Sequence, residues 1–165
     1  MRNKVIFFCL ILLSLLTIVI NYYSFISHRI QKLIVSDSAM TSLSFDYLEK
    51  ELPPIPNISI AAMPLSVYKA NYLLNERRVD EAMLYVNDAI KVNPHTYVGE
   101  YFNSKINLIK GQLDSALFYG KKAFIGWPKN INHYNNYLDI IEITRDTLSL
   151  VDAFNYLSPS LKKNP

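Results

Sequence analysis

Asp80 and Glu81 stand side by side in the sequence, and Asp114 stands with Ser115 a further 34 residues on. Neighbouring carboxylates can divide the work of general acid and general base when their surroundings hold their pKa values apart. The residues that follow argue for a plainer role. Each acid opens an apolar-periodic stretch, DEAMLYVNDAIKVNP in one place and DSALFYGKKAFIGWP in the other. Negative charge there meets the positive end of a helix dipole and stabilises it. These acids read as helix-start charges.

The other chemistry-bearing residues are scattered. His28, His95 and His133 show no metal-pair spacing and read as interfacial, loop and cap histidines. Lys121 with Lys122, and Lys162 with Lys163, read as solvated faces. The sequence holds no glycine-rich phosphate loop and no nucleophile elbow, and its 4 glycines leave few places for backbone to wrap a ligand. The single cysteine, Cys9, can close no intrachain disulfide and lies in an apolar run unlike a lipoprotein acylation box. The expectation is a chain without catalytic residues, cofactor or metal. Its formal net charge of +3, spread along 165 residues, gives no nucleic-acid footprint.

The elements that position these residues begin with that apolar run. Residues 5–20 read VIFFCLILLSLLTIVI without a charge, preceded by Arg2 and Lys4 and followed by Tyr22 and Tyr23. This is near the short end of what spans a bilayer as a helix, and the tyrosines suit the membrane interface. No small-x-small cleavage point follows, so an uncleaved single-pass anchor is expected over a cleaved signal. Flanking Arg29 and Lys32 nearly balance Arg2 and Lys4; the expectation is that the soluble part lies in the periplasm or otherwise outside the cytoplasm.

Beyond the anchor and its extension, residues 1–35, a short helix is expected over 36–52. Ser36 or Asp37 would cap it, and Met40, Leu43, Phe45, Leu48 and Leu52 would form its apolar stripe. Pro53, Pro54 and Pro56 make residues 53–63 a stiff connector. Residues 64–165 then resolve into three helix–turn–helix units, 64–95, 96–129 and 130–165.

In the first unit, Pro64 suits a first helical position, helices are expected over 65–76 and 79–92, and Asn93 with Pro94 ends the second. In the second, Thr96 is expected to cap a helix reaching Lys110, Gly111 takes the turn at the place of Arg77, and residues 113–125 return. Leu113, Asp114, Ala116, Ala123 and Pro128 match Val79, Asp80, Ala82, Ala89 and Pro94 at one offset. The third unit places Tyr134, Tyr137, Leu138 and Ile141 inward. There Leu148 and Val151 align with Leu113 and Ala116 only at an offset of 35, which implies one residue added near the turn. Pro159 is expected to shorten or break its last helix.

A hairpin of this length cannot bury its apolar face alone, so such hairpins stack and share a core. Small residues are needed where helices cross closely, which accounts for Ala82 with Ala89 and Ala116 with Ala123. Pro94 and Pro128 turn the chain into the next hairpin.

The paired alanines and closing proline at this spacing resemble the tetratricopeptide repeat family over roughly residues 64–157. The resemblance implies an all-α solenoid of about three antiparallel helix pairs behind the membrane helix. Ser66 and Glu100 stand where the family usually has a large aromatic, Ala70 and Ser104 keep its small residue, and Leu138 departs from it. A narrower resemblance lies in IPNISIAAMPLSVYKANYLL, NPHTYVGEYFNSKI, DSALFYGKKAFIGWPKNINHY and DTLSLVDAF. These strings are similar to the extracytoplasmic repeat tails of bacterial O-antigen ligase and polymerase family membrane proteins. That implies an alternative reading, the terminal or accessory portion of a cell-surface polysaccharide protein.

In stacked hairpins of the first family, the first helices line a concave groove. Carried onto this chain, that face picks out Asn71, Tyr101, Lys105, Asn132, Asn135 and Asp139. Asparagine and tyrosine can read peptide backbone or sugar hydroxyls, and Lys105 can meet a carboxylate. The expected function is a non-enzymatic, membrane-tethered scaffold that docks a protein or peptide. An uncapped third unit leaves three alternatives: self-association through its exposed end, a chain that continues into a further hairpin, or an end that frays.

Overall fold

The computed structural model describes residues 2–37, 40 and 42–161. Among them the chain is all-helical, with eight α-helices, one 3-10 turn and no strand. Helix α1 spans Arg2–Ser36, a continuous rod of about 50 Å at 1.5 Å per residue. It is long and apolar enough to cross a membrane, and that stretch is not buried by the rest of the chain.

The last third of α1 does something else. Ile30 and Ile34, one turn apart, are buried in the main core with Leu48, Val67, Leu73, Val86 and Ile106, and Ser27 is buried beside them. Asp37 then ends the helix. Its carboxylate accepts from the backbone N–H of Ser42 and Leu43 and from the Tyr72 hydroxyl, at 3.0, 3.0 and 2.8 Å. Burial and this carboxylate together push the Tyr72 hydroxyl well above the ordinary phenol range.

The short helix expected over 36–52 is therefore corrected. Ser36 closes α1 rather than opening a new helix, and Met40 has φ 51, outside helical space. The helix that forms, α2, is Phe45–Glu51, with Ser44 as its cap accepting from the Tyr47 N–H. Residues 38, 39 and 41 lie outside the described residues. Phe45, Leu48 and Leu52 are buried, while Met40 and Leu43 pack partly against the same core.

Three helix–turn–helix units follow: α3 (Leu65–Asn75) with α4 (Val79–Val92), α5 (Val98–Ile109) with α6 (Leu113–Gly126), and α7 (Ile131–Thr144) with α8 (Thr147–Leu161). Each helix packs on its neighbour in sequence, and α5 also touches α3 and α7. The turns share one backbone design. Arg77, Gly111 and Arg145, 34 residues apart in turn, have φ 60, 71 and 54. The next amide in each turn, of Arg78, Gln112 or Asp146, reaches back to the carbonyl of Leu73, Asn107 or Ile141. This is a left-handed C-terminal closure of the kind that satisfies a helix's orphan carbonyls.

The extra residue inferred for the third turn is accordingly absent. What differs is the roll of α8. Asp146 accepts from the Ser149 backbone N–H at 3.1 Å and from its hydroxyl at 2.7 Å, drawing Ser149 inward. Ser149 and Ala153 are buried, whereas Leu148 and Val151 are 79% and 56% exposed. Helix α8 also continues through Pro159 to Leu161.

Two further starts are corrected. Pro64 precedes α3 as its cap residue, with ψ 133, rather than occupying the first helical position. Thr96 belongs to the 3-10 turn Pro94–Thr96 and bonds the Asn93 carbonyl, so the residue capping α5 is Tyr97, at φ 51.

Small residues mark the close approaches. Ala82, Ala89, Ala116 and Ala123 are all fully buried. A Cβ at Gly120 would stand 3.0 Å from Ile140 Cδ1, and one at Gly126 would collide with the Tyr97 ring. The Tyr97 ring packs over Gly126, and a second core of Phe124, Tyr137, Ile141 and Ala153 lies between α6, α7 and α8.

Candidate functional site

Helices α3 and α5 and the start of α7 enclose a cleft of about 320 Å³. Helical spacing supplies its wall from α5: Val98, Tyr101, Phe102 and Lys105 recur at intervals of three and four and so share one face. Helix α3 contributes Val67, Tyr68 and Asn71, and the head of α7 contributes Asn130, Asn132 and His133. Met40 and Met63, from two loops, complete the lining with flexible apolar side chains. The Asn71 amide donates to Met40 Sδ at 3.2 Å, tying the first of those loops to α3.

Of the six residues expected in the groove, Asn71, Tyr101, Lys105 and Asn132 line this cleft. Asn135 and Asp139 do not; both are exposed farther along α7. Only the N-terminal end of α7 reaches the cleft, so stepping along its whole face overshoots.

Lys105 holds its ammonium 5.4 Å from the Tyr101 ring centre and 5.8 Å from that of Phe102. Such placement is favourable for a cation over an aromatic face. Among the described residues no carboxylate lies within salt-bridge distance of Lys105. Its charge is therefore turned toward the cleft without an internal counter-ion. A second cleft of about 280 Å³, near Leu52, Leu65 and Tyr85, differs on this point. Its cation, Lys69, is paired with Glu49 at 2.8 Å, and Glu49 also accepts from Tyr85. The Lys69 bond holds the Glu49 carboxyl below its ordinary range, and burial, with that carboxylate beside it, pushes Tyr85 up to about 12.

His133 is the cleft residue that sequence reasoning left among the caps. It is 1% exposed, stacked on Tyr101 with ring centres 5.3 Å apart, and meets Trp127 edge-on at 5.8 Å. Its Nδ1 lies 3.1 Å from the Ala123 carbonyl oxygen. A donor at Nδ1 satisfies that carbonyl and leaves Nε2 the acceptor of a neutral ring. Burial pushes the imidazole below its ordinary value, partly opposed by the Ala123 carbonyl and by Glu100. The signal for it in sequence was its place three residues after Asn130, whose side chain accepts from the His133 N–H at the start of α7.

Behind Tyr101 a part-buried polar link joins α5 and α7. The Asn136 amide donates to Ser104 Oγ at 2.6 Å, and that hydroxyl donates to the Tyr101 carbonyl at 2.7 Å. Ala70 and Ser104, the small residues of the first two units, are both fully buried. Of the paired lysines, Lys122 meets buried Glu100 at 3.1 Å and Lys121 meets Asp152 at 3.3 Å. The first pair lies within the second unit and the second joins the second unit to the third, and both lysines keep about half of their side-chain surface in solvent. At the helix starts, Asp80 pairs with Lys110 at 2.7 Å and Glu81 with Arg78 at 2.7 Å. Neither acid adjoins the cleft.

The described residues thus form an all-helical chain with one apolar helix of membrane-crossing length and a cleft lined by both apolar and polar side chains. No protein-family model matches the chain, and no curated protein matches it.

Proposed function

We propose that the chain is a membrane-tethered scaffold of tetratricopeptide type, in which three stacked hairpins present the cleft to an extended peptide segment of another protein. The observation that carries this reading is Lys105, which lines the cleft beside Val67, Val98 and Phe102 and is held over two aromatic rings with no carboxylate in salt-bridge reach among the described residues. An apolar side chain fits over Val67, Val98 and Phe102, and a carboxylate of the same peptide meets Lys105. The side chains of Asn71 and Asn132 stand where they can bond its backbone. The common turn design at 34-residue spacing supports the solenoid arrangement. Helix α1 would hold the domain at the membrane, with the repeats outside the cytoplasm. The scaffold acts without catalysis.

The test is selection of peptides from a random displayed library on the full chain in lipid nanodiscs. The selected peptides should combine an acidic group with an apolar residue. Binding should weaken at least tenfold with Tyr101→Ala and with Lys105→Glu, while Lys69→Glu, at the second cleft, leaves it unchanged. Equal binding by Lys105→Glu and the parent would remove the cleft from consideration.

A further inference from the structure

Helix α1 carries a polar seam that its packing does not use. Ser14, Thr17, Asn21 and Ser24 recur along it at alternating intervals of three and four, and His28 continues that spacing; Tyr22, Tyr23 and Ser27, the other uncharged polar residues of this stretch, lie off the line. On a helix turning about 100° per residue, these five fall within an arc of about 80°. Ser27, Ile30 and Ile34, which pack into the repeat domain, centre about 130° away on the same wheel. The seam is therefore open from Ser14 to Ser24, all four of whose polar side chains are exposed, and only its last member, His28, is half-buried where α1 meets the domain.

The side chains are only half satisfied. Ser14 donates to the Leu10 carbonyl, Thr17 to the Leu13 carbonyl and Asn21 Nδ2 to the Thr17 carbonyl, each one turn back. Those bonds leave the hydroxyl lone pairs and the Asn21 side-chain carbonyl without a donor among the described residues. In hydrocarbon or at its edge, such groups gain from a partner helix.

We infer that α1 pairs with α1 of a second copy of this chain through the Ser14, Thr17, Asn21, Ser24 and His28 seam. This rests on the reading that α1 spans a membrane. Three features select a second copy as the occupant. A carboxamide both donates and accepts, so two Asn21 side chains related by a twofold axis satisfy each other. Alternating three-and-four spacing is that of two helices crossing at a shallow left-handed angle of about 20°. The small Ser14 and Ser24 on either side let the backbones approach. Because the domain docks on another face of α1, both copies keep their clefts.

The experiment uses the full chain carrying Cys9→Ser, in carbonate-washed membranes, with single cysteines at Thr17→Cys and Val19→Cys. The two positions share a depth but lie on opposite sides of the helix. Oxidation should link Thr17→Cys into a dimer at least about tenfold faster than Val19→Cys. Adding Asn21→Leu should weaken dimerisation roughly 3- to 30-fold, the range of hydrogen bonds between membrane helices. Retention in the membrane with equal linking at the two positions would overturn the pairing alone, as would an unchanged dimer with Asn21→Leu or linkage only through α8. Release of the chain by carbonate would overturn the spanning reading and the pairing with it.

Discussion

The His133 ring lies stacked on the Tyr101 ring, its plane 18° from parallel, while its Nδ1 meets the carbonyl of Ala123. One imidazole thus joins the cleft wall on α5 to the crossing point on α6. Position and protonation of this ring are coupled, because the site that orients Tyr101 has little room for charge.

The consequence is a pH dependence with a definite sign. His133 has a folded pKa below its unfolded value of 6.5, so the unfolded chain binds the proton first. Stability is then fully present above about pH 7 and declines as pH falls through 6.5 toward the folded pKa. Thermal melts of the domain at pH 7.5 and 5.5 should show a lower midpoint at the acid end. His133→Gln should remove most of that difference. The carboxylates held low, Glu49, Glu81 and Asp146, lose their contribution only below about pH 4.5. A wild-type midpoint that is flat between pH 7.5 and 5.5 would contradict a buried neutral ring.

The link behind Tyr101 sets a second expectation. Ser104→Ala deprives the half-buried Asn136 amide of this partner and should cost about 1 kcal/mol, the usual net worth of one hydrogen bond. Asn136→Ala made in that background should then cost less than it does alone, with a coupling of about 0.5 to 3 kcal/mol. Denaturant titration of the four chains measures it. Strict additivity would mean that the two side chains do not share a bond.

The three turns give a third. A left-handed residue other than glycine carries a backbone penalty of roughly 1 to 2 kcal/mol. Arg77 carries it at φ 60, while Gly111 avoids it at φ 71. A Cβ at Gly111 would meet nothing within 4 Å, so only the backbone can object to one. Gly111→Ala should lower stability by about 1 kcal/mol and Arg77→Gly should raise it by somewhat less, since glycine also frees the unfolded chain. Opposite signs in paired chemical denaturations are the expected result.

That turn was legible in the sequence because its cause is local: a helix of fixed length must be closed, and Gly111 aligns with Arg77. The helix expected over residues 79–92 is found at Val79–Val92 for the same reason. The shape of the cleft was not legible. Met40 and Met63 reach it from loops, and Met40 is tied to Asn71 across 31 residues of chain. No periodicity announces a contact of that kind. His133 looked like a cap because its backbone is near one; its burial comes from Trp127 and Tyr101, brought together only by packing. The offset of 35 came from aligning the apolar Leu148 and Val151 with Leu113 and Ala116, whereas Asp146 bonds Ser149, and it is Ser149 and Ala153 that turn to the core.

The same non-local packing makes α1 part of the folded domain. An anchor that merely tethers could be cut anywhere past the bilayer without affecting the repeats. Here Ile30 is fully buried and Ile34 nearly so, and Asp37 accepts from Tyr72 on α3. Full burial of each isoleucine side chain is worth about 1.5 to 3 kcal/mol. A chain lacking residues 2–24 should therefore keep its helical repeats and melt cooperatively. A chain lacking residues 2–37 exposes the surface that Ile30 and Ile34 covered and leaves the buried Tyr72 hydroxyl without its carboxylate. Its stability should fall by at least about 3 kcal/mol, a large share of what a domain of this size possesses. Within the shorter truncation, Ile30→Ala should reproduce 2 kcal/mol or more of the loss, because it opens a cavity in the core. Circular dichroism melts of the three chains measure the effect. Equal midpoints for the two truncations would show that α1 ends its structural role at the membrane surface.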